Sequence, residues 1–212
     1  MKISIFGTWY VGLVTWACLA EVGHDVLCID IDEQKIQDLK KWIIPIYEPG
    51  LEEIVQRNYQ NKRLSFSTNI KLWIQRSEAI FSAVGTPPDE NHKADLRFVK
   101  AVAKSFWEHI DDYKVFINKS TVPVGTGNLC HEIITEAWKK RWHELLFDLV
   151  SNPEFLREGT AVKDFMTPER IVCGVESERA QKIMEEIYNY KMHIEQAIEW
   201  LWTIMPNLFL AI

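Results

Sequence analysis

In the run Ser151 to Gly159, SNPEFLREG, two carboxylates, Glu154 and Glu158, stand four residues apart with the cation Arg157 between them. Two acids on one face can divide general acid and general base work or orient a polar ligand, although a solvated acidic turn has the same spacing. Asn152 has the type of a helix N-cap, Pro153 suits the first helical position, and Gly159 suits a stop. A short helix is therefore expected here, carrying Glu154 and Glu158 on one face. Two threonines have a related setting. Thr86 follows the apolar run Ala79 to Val84 in GTPP, and Thr121 follows Val115 to Asn118 in STVPVGTG, so each hydroxyl sits in a turn that closes an apolar run. Asp30 closes a third such run, Asp25 to Ile29. Lys35 lies just past it, with a solvated helix lysine as its plainer reading.

A sheet whose strand ends lie side by side would bring these groups together. Lys2 to Phe6 is β-branched and apolar and stops at Gly7, and from Val11 the run VGLVTWACLAEVG has apolar residues at helical spacing. That pattern predicts strand, tight turn, helix. Asp30 follows about twenty residues beyond the turn, where a dinucleotide-binding βαβ unit keeps the acid that bonds the ribose hydroxyls. Such a unit asks for glycine at three places. Gly7 serves the turn and Gly12 the close packing of helix on strand, but the place where backbone N–H groups approach a pyrophosphate is Trp9. A Cβ there intrudes on the space of the phosphates. The indole is expected either to fill the site or to be swung outward by a shifted loop, and it counts against dinucleotide binding. Trp16 and Trp42 also stand where a small residue or a turn would be expected.

Helical patterns over Glu33 to Lys41, Leu51 to Asn58, Ile70 to Gln75, Leu96 to His109 (with Asp95 as N-cap), Asn128 to Arg141 and Ser177 to Tyr188 alternate with strand-like runs. The latter are Leu64 to Ser67, Ala79 to Val84, Val115 to Asn118, Leu145 to Val150 and Arg170 to Val175. This alternation predicts an α/β fold: a doubly wound, mostly parallel, Rossmann-like sheet with helices on both faces and its site along the strand C-termini. Residues 1–188 would form that domain. Residues 189–212 are expected to be an apolar tail that packs on a partner or on the domain, or begins something longer. A net charge of −6 argues against a broad nucleic-acid surface. The four cysteines, Cys18, Cys28, Cys130 and Cys173, form no CxxC pair and are expected to be buried, reduced thiols. No metal-ligand set is expected. No apolar run reaches membrane-spanning length, and without a charged-then-apolar leader a cytoplasmic protein is expected.

Six stretches in order, KISIFGTWYVGLVT, CIDID, IIPIYEPGLEE, AVGTPP, NKSTVPVGT and SNPEFLREGTAVKDF, resemble the N-terminal half of the UDP-glucose/GDP-mannose 6-dehydrogenase family, most of all its bacterial UDP-glucose 6-dehydrogenases. The resemblance covers about residues 1–188. It implies NAD-dependent, two-step oxidation of a UDP-sugar alcohol to a carboxylate, UDP-glucose to UDP-glucuronate. It places NAD at Gly7, Tyr10, Val11, Gly12, Asp30, Lys35, Thr86, Thr121 and Glu158. It sets the sugar nucleotide against Glu154, Phe155, Leu156, Arg157 and Glu158, and gives proton handling to Thr121, Glu154 and Glu158. The chain departs from the family at Trp9, and at Trp16 and Trp42, and lacks the family's second half with its nucleophilic cysteine. It resembles a truncated, inactive N-terminal half, with a homodimer or a separate chain carrying the missing half as possible partners. Asn207 is similar in setting to a substrate-contacting asparagine of the family's central helix. The alternatives are a non-catalytic nucleotide-binding or interaction module, or a degenerate remnant.

Overall fold

The computed structural model describes residues 1–90, 92–138, 147–189 and 198–202. It opens with β1 (Lys2–Phe6), α1 (Tyr10–Glu21) and β2 (Asp25–Ile29), the expected βαβ beginning. Then come α2 (Glu33–Lys40), α3 (Leu51–Gln60), β3 (Leu64–Ser67), α4 (Ile70–Arg76), β4 (Ala79–Ser82), α5 (Arg97–His109) and β5 (Lys114–Asn118). The chain continues through α6 (Thr126–Trp138), β6 (Phe147–Ser151), α7 (Ala161–Met166), β7 (Ile171–Val175) and α8 (Glu178–Tyr188) to β8 (Ile198–Trp202). The strands form one sheet in the order β3-β2-β1-β4-β5-β6-β7-β8. Neighbours from β3 through to β6 are parallel, β7 runs antiparallel to β6, and β8 parallel to β7. The order therefore reverses between β1 and β4, which in an open parallel sheet opens a crevice at the strand C-termini.

The two-residue period of the strands separates two cores. Ile3 and Ile5, Ala79 and Phe81, and Val115 and Ile117 pack with α1, α2, α3, α7 and α8, while Phe6, Ile80 and Phe116 face α4, α5 and α6 on the other side. Helix α1 is buried almost all round, from Gly12 to Ala20, which explains why its sequence is apolar without a polar stripe. The doubly wound, mostly parallel sheet with helices on both faces is thus as expected.

Several boundaries move. Helix α5 takes Leu96 as its N-cap, and Asp95 instead accepts from the Arg97 amide at 3.0 Å. Leu145 and Leu146, and the expected end of the α6 helix at 139–141, lie outside the described residues, as do Asn207 and most of the segment after Asn189. The described part of that segment, 198–202, joins the sheet as β8.

The largest correction falls on SNPEFLREG. Residues 152–157 adopt no helix, and the helix that follows begins only at Ala161. Asn152 is 1% exposed and caps nothing; its amide donates to Val172 O at 2.9 Å and its Oδ1 accepts from Lys119 Nζ at 3.2 Å. Arg157 turns to Asp164, donating from its backbone N (3.1 Å), Nε (3.0 Å) and Nη2 (2.7 Å). Tertiary partners outbid the local helical bonds, so Glu154 and Glu158 do not share a helical face.

Candidate functional site

The β1–α1 turn is built as a glycine turn must be. Gly7 has φ +111°, and a Cβ on it would stand 2.5 Å from Ala83 O; one on Gly12 would stand 2.2 Å from Gly7 O. Neither position admits a side chain, because strand, turn and helix touch through backbone alone. Between them Thr8 is buried and donates from its hydroxyl and, at 3.2 Å, from its amide to Asp30 Oδ2. The Asp32 amide donates to Asp30 Oδ1 at 3.0 Å. Asp30 is thereby pinned at the tip of β2, with acceptor capacity left over, since a carboxylate has about four lone-pair sites. Thr8 carried no signal in the sequence reading; its value comes from closing the turn onto Asp30.

Trp9 is the N-cap of α1 in extended backbone (φ −92°, ψ −178°) and makes no side-chain cap. The indole stands on the wall of a cleft of about 720 Å³, 59% exposed. Asp30, Ile31, Lys35, Thr86, Pro87 and Phe98 line the same cleft. The expectation is that the indole either fills the site or is swung outward by a shifted loop; the structure places it among the residues that line the cleft. Trp42 has φ +69°, the left-handed backbone of a turn, whereas Trp16 is fully buried in mid-helix, edge-on to Phe66.

The remaining candidates continue along the same edge. Thr86 Oγ1 donates to Thr121 O at 2.7 Å, and Thr121 Oγ1 lies 3.4 and 3.5 Å from the two carboxylate oxygens of Glu154. Asp30, Thr86, Thr121 and Glu154 therefore follow the ends of β2, β4, β5 and β6 on one side of the molecule. Phe155 lies under Arg170, whose guanidinium carbon is 4.3 Å from the ring centroid, and Leu156 packs on the core. Glu158 is exposed and lies within electrostatic reach of Tyr10 at the start of α1. Val11 is half-buried in the first turn of α1.

Sequence reasoning missed Glu48. It is 4% exposed and accepts from Tyr10 Oη (3.0 Å), Gly159 N (2.8 Å) and Ala161 N (2.7 Å). One carboxylate thus caps α7 and ties the segment 154–159 to the first turn of α1, and with burial it pushes the Tyr10 phenol up. A lone acid in the otherwise apolar run IIPIYEPG was the available signal. The four cysteines are all buried and free, as expected, with burial pushing Cys130 up to about 11 and Cys173 up to about 12. Among the described residues no cluster of metal-ligating side chains occurs, and no helix is long and apolar enough to cross a membrane.

Parallel strands in the order 3-2-1-4-5-6, a backbone-tight glycine turn and a pinned acid at the end of β2 define a Rossmann-type nucleotide-binding domain. The profile of the UDP-glucose/GDP-mannose dehydrogenase family, NAD binding domain, matches residues 1–192, and the chain belongs to that family. A UDP-glucose 6-dehydrogenase of Bacillus subtilis is 52% identical over 187 residues, which cover 88% of this chain and 40% of that protein. One from Rhizobium meliloti is 46% identical over 192 residues, 89% of this chain and 43% of that protein. Among solved structures, a UDP-glucose dehydrogenase from Pyrobaculum islandicum superposes with a TM-score of 0.85 at 35% identity, covering 94% of this chain and 46% of that one. A ternary complex of GDP-mannose dehydrogenase from Pseudomonas aeruginosa gives 0.85 at 34%, covering 95% and 46%. The chain thus spans less than half the length of these relatives.

Proposed function

We propose that these residues are the NAD-binding half of a sugar-nucleotide 6-dehydrogenase acting on UDP-glucose, with the sugar nucleotide set against Glu154, Phe155, Leu156, Arg157 and Glu158. The observation that carries this reading is the continuous edge from Asp30 through Thr86 and Thr121 to Glu154, beside a turn whose glycines at 7 and 12 admit no Cβ.

The cleft fits a dinucleotide at its adenosine side. Asp30 would accept from ribose hydroxyls, Lys35 would lie beside it, and the amides of Tyr10 and Val11 at the start of α1 would face a diphosphate, as helix N-termini do. Thr86, Thr121 and Glu158 would complete the set. NAD, when bound, supplies the hydride acceptor. The chain's own contribution is to handle the proton: Thr121 and Glu154, in contact with each other, would orient a water or take the proton of the sugar's primary hydroxyl, with Glu158 assisting. The four cysteines are buried thiols, so the nucleophile that holds the aldehyde stage in the second oxidation is not among them. These residues are then the half of the enzyme that binds cofactor, and the nucleophile comes from a separate segment. Residues 1–188 form the binding unit in this reading.

Trp9 is the one side chain at odds with a diphosphate at the turn. It also favours a second reading, a nucleotide-binding module without catalysis. Calorimetric titration separates the two. The unmodified chain is expected to bind NAD weakly, and Trp9→Gly to tighten binding by tenfold or more, since the surrounding turn is already formed. If neither protein gives a saturable heat at millimolar NAD, the dinucleotide site is refuted.

A further inference from the structure

Lys119, two residues before Thr121 and just past the end of β5, is a buried ionisable group that the proposed chemistry leaves unused. It is 4% exposed, and its backbone N is held by Ser82 O at 2.9 Å. Its Nζ donates to Asn152 Oδ1 at 3.2 Å. Asn152 is fixed in turn: its Nδ2 faces Val172 O at 2.9 Å and Cys173 Sγ at 3.6 Å, and its Oδ1 accepts from the Tyr188 hydroxyl. An ammonium has three donors and is costly to bury, and a neutral amide oxygen compensates little of that cost. The acid within electrostatic reach is Glu154, which lines with Lys119 a cavity of about 40 Å³ also bounded by Asn152, Arg170 and Tyr188. A fold that needed only bulk here would use an aliphatic side chain.

We propose that Lys119 is a positioning residue, whose buried ammonium holds the Glu154 side chain against the Thr121 hydroxyl from beneath the strand edge. Around it stand Glu154 after β6, Asp164 on α7, Arg170 ahead of β7, Cys173 on β7 and Tyr188 on α8. Burial brings the lysine down to about 8, with Glu154 and Cys173 opposing the shift. The positive charge is therefore present below that pH and lost above it, and the hold on Glu154 weakens as the pH rises. The inference rests on the reading that Glu154 and Thr121 face the sugar nucleotide only for its catalytic meaning; the coupling of Lys119 to Glu154 can be tested without substrate.

The test is NMR of the full chain with labelled lysine ε-carbons, glutamate carboxyl carbons and threonine methyls, from pH 6 to pH 10. Lys119 is expected to titrate near pH 8, and the Glu154 and Thr121 signals to inflect at the same midpoint. Lys119→Met should abolish both inflections without lowering the urea midpoint, an outcome that a packing role would not produce. Lys119→Arg should keep both signals near their pH 7 positions up to pH 10, and it serves if the methionine variant fails to fold. Glu154 and Thr121 signals that stay still through the lysine's titration would overturn the proposal. Adding UDP-glucose separates the two readings. A displaced Lys119 midpoint supports both, whereas coupled inflections that ignore the ligand leave Lys119 in its role and count against the substrate assignment alone.

Discussion

Asp30 and Glu48 show how differently two carboxylates can be written into a chain. Asp30 is announced by its place after an apolar run at a set distance from the glycine turn, because strand, turn and helix have nearly fixed lengths. Glu48 has no such signal, since two of its partners, the Gly159 and Ala161 amides, lie 111 and 113 residues away. Its removal should be felt throughout. Glu48→Ala leaves two backbone amides and the Tyr10 hydroxyl without their buried acceptor, an expected loss of roughly 3 kcal/mol of stability. Urea unfolding followed by circular dichroism reads this; a loss below about 1 kcal/mol would mean that water replaces the carboxylate at small cost. Lys119 was equally silent, because a lysine inside NKSTVPVGT has the composition of a solvated turn.

The elements were legible wherever their period was complete. The β1–α1–β2 opening, the strands at Leu64–Ser67 and Ile171–Val175, and α8 capped by Ser177 lie where the apolar spacing puts them, to within a residue or two. SNPEFLREG was not legible, although its residue types satisfy every local rule for a short helix. Asn152 is buried among Lys119, Tyr188 and β7, and the helix starts only where Glu48 can cap it. Helix C-termini are a further case. The Lys62 and Arg63 amides close α3 by bonding Tyr59 O (3.0 Å) and Asn58 O (2.9 Å), with Lys62 at φ +59°, and Trp42 ends α2 in the same way at φ +69°. Glycine is the natural residue at such a position. Lys62 is exposed, so Lys62→Gly should stabilise the chain by about 0.5–1 kcal/mol, seen as a higher urea midpoint at unchanged slope. A lower midpoint would mean that chain entropy in the unfolded state outweighs the strain. Trp42→Gly is the poorer choice, because Trp42 packs edge-on against Tyr59 with centroids 5.0 Å apart.

At the scale of the molecule, His24 joins the two ends of the core. Its Nε2 meets Ile187 O at 2.9 Å at the end of α8, and its Nδ1 lies 3.4 Å from the N-terminal amine. Burial, with the N-terminal charge, holds its pKa below the ordinary value of 6.5, against the pull of the Ile187 carbonyl and Glu186. The unfolded chain therefore takes up a proton near pH 6.5 before the folded one does, and stability falls as the pH drops through that value. Glu176, raised by burial, has the opposite sign just above pH 4.5, and Glu21 and Asp164, both lowered, lose their contribution only below their ordinary values. Melting temperatures at pH 7.5 and pH 5.5 should differ in the native chain, and the difference should shrink in His24→Gln. An equal difference in both proteins would assign the effect to other groups.

The amino-acid sequence by itself determined the alternation of strands and helices, the glycine turn and the acid that follows β2, because each rests on periodicity or spacing within a few tens of residues; the family was legible from the resemblance of six motifs in order along the chain. Only the tertiary structure decided that Thr86, Thr121 and Glu154 touch in series, that Glu48 caps a helix from across the domain, and that Trp9 lines one cleft with Asp30, Lys35 and Thr86. Those facts depend on which strand ends become neighbours and which polar groups are buried together. Their energies are settled by desolvation and by bonds between residues far apart in the chain, which no local pattern records.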